Sequence, residues 1–321
     1  MTFTILKEIS QNKNIKKPVI YGISSLKLSD QEKYFFKESA PLGFILFSRN
    51  IKDKEQTKSL VKSLKELMES EVLILIDQEG GRVARLKGKD WNNYPPAQYF
   101  ADIYQNNQRQ ARQQCYENAA LIAKDLKELG INVNCAPVLD ILSSTTHEVI
   151  GDRAFGKNAA QIYDLAKQMC EAFLDNDIYP VIKHIPGHGR AKSDSHLELP
   201  IVDADLAILE NTDFVPFQKL SEMKFAMTAH ILYSKIDDKF PATISKKVIN
   251  LIRNQIGFKN ILISDDISMK ALPGSLSYRA EAAIEAGCDI VLHCNGNIKE
   301  MAQINQSLVK MSDKLIAKLN D

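Results

Sequence analysis

The stretch VIKHIPGHGRAKSDSHLELP, residues 181–200, holds three of the chain's six histidines, His184, His188 and His196, among glycines, basic residues and carboxylates. Three chemistries use such a set: phosphate binding, metal ligation and acid–base catalysis. A phosphate loop of the Walker type needs Gly directly before its Lys and another Gly five residues earlier. Ala191 and Pro186 occupy those places, so the likeness of 187–193 to such a loop is superficial. His184 and His188 are four apart, the spacing of zinc ligands on a helix, but Pro186 and Gly187 lie between them and break a helix there. A metal site built from His184, His188, Asp194 and His196 stays open on geometry alone. For acid–base work, Asp194-Ser195-His196 places a carboxylate two residues from an imidazole. In a loop, that spacing lets the Asp accept a hydrogen bond from one ring nitrogen and leaves the other to move a proton. An Asp capping a turn beside a solvated His is the plainer reading of the tripeptide alone.

A second group shifts that balance. The run ILISDD, residues 261–266, is a buried-strand pattern that ends in Asp265, with Asp266 beside it. Retaining cleavage of a glycosidic bond needs a carboxylate nucleophile on one side and a proton donor on the other. Asp265 and His196 are of the types that meet those two demands.

Groups so far apart in sequence need a scaffold to bring them together. Short apolar runs recur at 19–23, 43–47, 73–77, 132–139, 179–184, 225–231, 261–265 and 289–294. Near-continuous apolar runs of strand length are buried on both faces, which predicts a parallel sheet. The stretches between them are amphipathic. In 54–70, Leu60, Val61, Leu64, Leu67 and Met68 share a face; in 158–174, Ile162, Leu165, Ala166, Met169 and Phe173 do so. A third helix runs through Leu121–Leu126 to a C-terminal Gly130. Eight strands alternating with helices predict the α/β class and a (β/α)8 TIM-type barrel, one domain over residues 1–321. The alternative, an open doubly wound sheet, calls for a Gly-rich turn after its first strand, which 21–25 does not supply. In a barrel the active site lies at the C-terminal strand ends. Several runs become polar there: Asp77, Asp140, Lys183 with His184, His230, and Asp265 with Asp266. One such residue is ordinarily a cap or a solvated edge; several on one rim predict a polar pocket.

Composition excludes other classes. With 41 basic and 40 acidic residues spread along the chain, no basic tract suits nucleic acid. The N-terminal residues lack the apolar stretch of a signal peptide, and the aliphatic runs fall far short of the ~20 residues of a membrane span. Five cysteines without a CxxC pair suit a reduced cytoplasm, with Cys288 and Cys294 read as buried thiols flanking a strand.

The segment KHIPGHG…DSH, Lys183 to His196, resembles the KHFPGHG…DSH stretch of bacterial β-N-acetylglucosaminidases of glycoside hydrolase family 3. The blocks GFILFSRNI (43–51), IDQEGGRVAR (76–85), NCAPVLDI (134–141), IGDRAFG (150–156), TAHILY (228–233), ISDDISMKAL (263–272) and AGCDIVLHCN (286–295) resemble that family in its own order. The resemblance implies Asp265 as nucleophile, with Asp266 in support. It implies His196 as acid/base and Asp194 as the partner that orients it. Lys183 and His184 match sugar-hydroxyl ligands, and Asp77, Arg85 and Arg153 match further sugar contacts. His188 reads as structural. Ile185 stands where Phe is usual, and SSTTHEV (143–149) replaces an Asn/Pro-rich loop, which bears on contacts beyond the first sugar.

The implied reaction is two-step retaining hydrolysis. The implied substrate is a small carbohydrate, a muropeptide or another oligosaccharide with terminal N-acetylglucosamine, leaving an anhydro-muramoyl peptide. No metal or organic cofactor is required, and a cytoplasmic monomer with no nucleic-acid or membrane partner is expected. The loop carrying His196 should open and close. Four other readings stay open: phosphorolysis, because a neutral imidazole does not repel an incoming phosphate as a carboxylate would; a β-glucosidase of the same superfamily; a metal-dependent hydrolase; and a non-catalytic sugar-binding barrel.

Overall fold

The eight apolar runs form eight parallel strands in the computed structural model, which describes residues 2–12, 17–143, 146–191, 193–195 and 197–321. The first to eighth barrel strands are Lys17–Gly22, Pro41–Leu46, Leu73–Ile76, Val133–Asn134, Tyr179–Ile185, Phe225–Thr228, Ile261–Asp266 and Ile290–His293. Each pairs with its neighbour in sequence, and the eighth closes on the first, with Tyr21 opposite His293. The (β/α)8 barrel expected from the sequence is the fold. Its strands are aliphatic because both faces are covered: Leu73 to Ile76 are all buried, and burying each such side chain contributes roughly 1.5–3 kcal/mol.

The helices begin where the sequence offers caps. Asp53 accepts the Gln56 N–H at the start of Lys54–Met68, whose Leu60, Val61, Leu64 and Met68 face the barrel. Asn158 accepts two N–H groups at the start of Ala159–Asp175. Ser275 caps Leu276–Ala286, and Arg279 of that helix donates to the carbonyls of Ile267 and Met269. The segment that follows Asp265 is thereby tied down.

Two strands end three or more residues short of their apolar runs. The fourth was expected over 132–139, but its ladder stops at Asn134. Pro137 has no N–H to donate, and the chain continues beside the fifth strand through single bonds such as Leu139 N–H to the Lys183 carbonyl. The sixth stops at Thr228 rather than 231. The chain then turns to form Leu232–Tyr233, which pairs in parallel with Ile201–Val202. That two-stranded ribbon joins the loop after the fifth strand to the loop after the sixth. Among the described residues, no helix is long and apolar enough to cross a membrane.

Candidate active site

At the C-terminal ends of the strands lies a cavity of about 300 Å³ lined by Asp77, Arg85, Arg153, Lys183, His184, His188, Ser195, Asp265 and Asp266, with Phe47, Val149, Ile150, Met227 and Met269 among its apolar walls. Of the residues expected at the site, the fold brings Asp77, Arg85, Arg153, Lys183, His184 and Asp265 to this cavity. Asp194 does not line it, although its neighbour Ser195 does. His196 lies outside the described residues, as does Lys192. Cys294, expected as a buried thiol, is half-buried and lines the cavity instead. It does so because the eighth strand ends at His293 and Cys294 already belongs to the rim.

The floor is an ion network. The Lys183 ammonium, almost wholly buried, lies 2.9 Å from Asp77 and 2.6 Å from Glu79. Arg85 Nη2 donates to Asp77 at 3.0 Å, and Arg153 grips Glu79 with two bonds of 2.8 Å. Burial alone would raise both carboxyls. The charges of Lys183 and Arg85 hold Asp77 well below the usual carboxylate range, and those of Arg153 and Lys183 hold Glu79 at about 2. For Lys183, burial pulls the other way and is outweighed by the same two carboxylates, so the ammonium stays charged. These five groups carry one more positive than negative charge, and Asp265 sits beside them.

Asp265 and Asp266 share the end of the seventh strand but do different things. The Asp266 carboxylate accepts from Ser268 N–H, Ser268 Oγ and Cys294 N–H, which knits the turn to the eighth strand. Asp265 accepts the Asp266 N–H at 2.8 Å, and its own N–H donates to Thr228 Oγ1. Burial pushes the Asp265 carboxyl up. His230, His184, the Asp266 N–H and Lys183 together outweigh burial and lower it, so the carboxylate is ionised at neutral pH. His230 is fixed by Thr243 Oγ1 at 2.7 Å and by the Asp266 carbonyl at 3.0 Å.

The fifth strand supplies the opposite wall. Lys183 and His184 are consecutive, yet both line the cavity. His184 Nδ1 is 2.7 Å from Asp140 Oδ2, a contact that orients the ring. The other Asp140 oxygen accepts the N–H groups of His184 and His188. Asp140 thus braces the strand end from beneath. Beyond it, the Asp194 carbonyl accepts from Leu197 and Glu198 N–H, defining a turn. Among the described residues, no group of three or more His, Cys, Asp and Glu is arranged to hold a metal ion.

Sequence reasoning passed over Glu79, Arg82 and Ser195. Glu79 stands two residues after Asp77, and its partner Arg153 is distant in sequence. Arg82 shares the RVAR block with Arg85 and lines the cavity too, where it donates to Asp152 and to the carbonyls of Glu148, Val149 and Ile150, holding the loop that forms the wall. Ser195 lay between two residues with assigned roles and had none itself.

A closed parallel barrel whose C-terminal rim gathers an ionised aspartate and a cation–carboxylate floor has the architecture and the carboxylate that a barrel glycosidase uses. The chain belongs to glycosyl hydrolase family 3: residues 6–319 match the description of that family's N-terminal domain. It is a glycosidase of the β-hexosaminidase type. It is 38% identical over 283 residues to the β-hexosaminidase of Alkalilimnicola ehrlichii, covering 87% of this chain and 80% of that one. NagZ from Neisseria gonorrhoeae in complex with N-trifluoroacetyl-D-glucosamine superposes with a TM-score of 0.87 at 32% identity, over 95% of this chain and 89% of that chain. The same protein in complex with zinc ion gives a TM-score of 0.87 at 31% identity, over 95% and 90%.

Proposed function

We propose that the chain is a retaining exo-β-N-acetylglucosaminidase. It removes terminal N-acetylglucosamine from muropeptides that end in an anhydro-muramoyl peptide, as a cytoplasmic monomer. Asp265 attacks the anomeric carbon while protonated His196, oriented by Asp194, donates to the leaving oxygen. The aspartyl-sugar ester is then cleaved by a water that gives its proton to neutral His196. Asp77, Arg85, Arg153, Lys183 and His184 hold the sugar.

The observation that carries this reading is Asp265 itself: a half-buried carboxylate kept ionised at the end of a strand, facing a cavity whose floor offers fixed hydrogen-bond donors. A carboxylate nucleophile must be charged to attack, and fixed cations and donors around it keep it charged until bonding to the anomeric carbon neutralises it as the ester. The NagZ complex with N-trifluoroacetyl-D-glucosamine supports an N-acylated glucosamine as the sugar bound.

The test is turnover of an aryl N-acetyl-β-glucosaminide against the matching aryl β-glucoside, with trapping of the adduct by a slow fluorinated substrate and location of the label by mass spectrometry. The expected outcome is preference for the acetamido sugar and a label on Asp265. Asp265→Asn should lower kcat by about 10⁴-fold or more while sugar binding persists. A label elsewhere, or turnover surviving in Asp265→Asn, overturns the assignment.

A further inference from the structure

His188 has no part in the mechanism above, yet it is 3% exposed and its ring faces the cavity. Its N–H is held by Asp140 at 2.6 Å, and its ring packs edge-on against His184 with centroids 5.6 Å apart. Two rigid anchors therefore fix where its ring points. Its Nε2 lies 3.5 Å from the hydroxyl of Ser195, while Nδ1 has no partner among the described residues.

Ser195 is unusual for its turn. Leu197, two residues on, is 67% exposed, whereas Ser195 is 4% exposed. A serine buried in an otherwise open turn is an anchor. Its hydroxyl meets His188, and its carbonyl accepts the N–H of Ala271 at 3.3 Å. Ala271 belongs to the segment that follows Asp265 and is pinned by Arg279 through Met269. The turn is thus held between the root of its own loop and the element that carries Asp265.

We infer that His188 and Ser195 form a latch, and that both are positioning residues setting the acid/base turn over the sugar. The inference rests on His196, the next residue in the chain, being the acid/base. A proton donor works only within hydrogen-bond reach of the leaving oxygen, and a misplacement of about 1 Å costs on the order of 10²-fold. At 3.5 Å the contact is at the long limit of a hydrogen bond, so the Ser195 carbonyl bond to Ala271 shares in holding the turn. Burial brings the His188 pKa down to about 4, so the latch stays neutral at working pH and adds no charge beside the proton donor.

A latch acting through the proton donor has a signature that loss of packing lacks. It matters where the leaving group needs a proton and matters little where it does not. The experiment measures kcat/KM on 2,4-dinitrophenyl and phenyl N-acetyl-β-glucosaminides for wild type, His188→Leu, His188→Gln, Ser195→Ala, the His188→Leu/Ser195→Ala double variant and His196→Ala. In His188→Leu and Ser195→Ala the loss on the phenyl substrate should exceed the loss on the dinitrophenyl substrate by about tenfold or more. His188→Gln, which keeps a polar group near the same place, should recover part of it, and the double variant should be no worse than the worse single one. Equal losses on both substrates, no loss, or additive losses overturn the latch. Ser195→Ala removes one oxygen and leaves the backbone bond to Ala271 in place, so it stays informative even if His188→Leu folds poorly. His196→Ala separates the two ideas. If it shows the steep dependence and the latch variants do not, the latch alone fails; if it is flat as well, the acid/base assignment fails first.

Discussion

His188 also marks the residue scale in stability. Its imidazole is neutral in the folded chain down to about pH 4, because burial outweighs the pull of Asp140 and Asp265. In the unfolded chain it protonates near the ordinary 6.5. Between those values the unfolded state binds the extra proton, so stability rises with pH. The contribution is complete above about 6.5 and is lost as pH falls towards 4, an effect of about 3 kcal/mol. His188→Gln cannot titrate. The stability advantage of wild type over this variant should therefore shrink as pH drops from 7 to 4.5, followed by urea unfolding across that range; parallel profiles would contradict the buried neutral ring. At this scale the sequence told residue types but not pairings. Asp77, Lys183 and Asp265 were legible because each closes an apolar run. Glu79 was not, because its importance comes from Arg153, 74 residues away, and from a Lys183 ammonium shared with Asp77. Asp140 was visible at a strand end, but not that a single carboxylate there would hold His184 and His188 at once.

The elements were read more fully than the loops, for a physical reason. Burial on both faces writes a strand into the sequence as an aliphatic run, and all eight runs became barrel strands. The ribbon of Ile201–Val202 with Leu232–Tyr233 was not read, since a two-residue strand has no period to detect. The loops after the fourth and fifth strands are also joined in a way no pattern reveals. Ser143 and Thr146 donate to the Gly189 carbonyl, and His147 N–H donates to the Ala191 carbonyl. Gly189 makes this junction feasible: a Cβ on it would stand 1.8 Å from the Ile141 carbonyl oxygen, a backbone atom with no side-chain freedom to yield. Gly189→Ala must therefore push the two loops apart. Activity should fall by about tenfold or more with a lower melting temperature, whereas Gly88→Ala, where nothing lies within 4 Å, should cost only the strain of its positive φ. Equal behaviour of the two variants in activity and thermal melts would show that the junction does not position the site.

The whole molecule separates chemistry from stability along the barrel axis. The cavity occupies the C-terminal strand ends, while at the other end the helix Asp313–Asn320 is tied on through Asp289, just before the eighth strand. That carboxylate accepts from Arg253 at 2.7 Å, from Lys318 at 2.8 and 2.6 Å, and from the N–H of Leu262 at 2.9 Å. One side chain thus joins the seventh and eighth strands, the segment before the seventh and the last helix. The sequence displayed Asp289 as an ordinary polar residue at the start of an apolar run, because the cations that give it weight lie 36 residues before it and 29 after. Asp289→Ala leaves Arg253 and Lys318, both largely buried, with no carboxylate between them. Breaking such a pair typically costs up to about 3–5 kcal/mol; burial already brings the Lys318 pKa down to about 8 beside Asp289, so it can shed its proton and the charge left behind is that of Arg253. The unfolding midpoint in urea should drop accordingly. At 25 °C the folded fraction should retain wild-type kcat/KM and an unchanged pH profile, because no group of the network reaches the cavity. A shift in the pH profile would mean that the two ends of the barrel are electrostatically coupled. An unchanged midpoint would mean that the last helix is held by its apolar face, Leu315 and Leu319, rather than by Asp289.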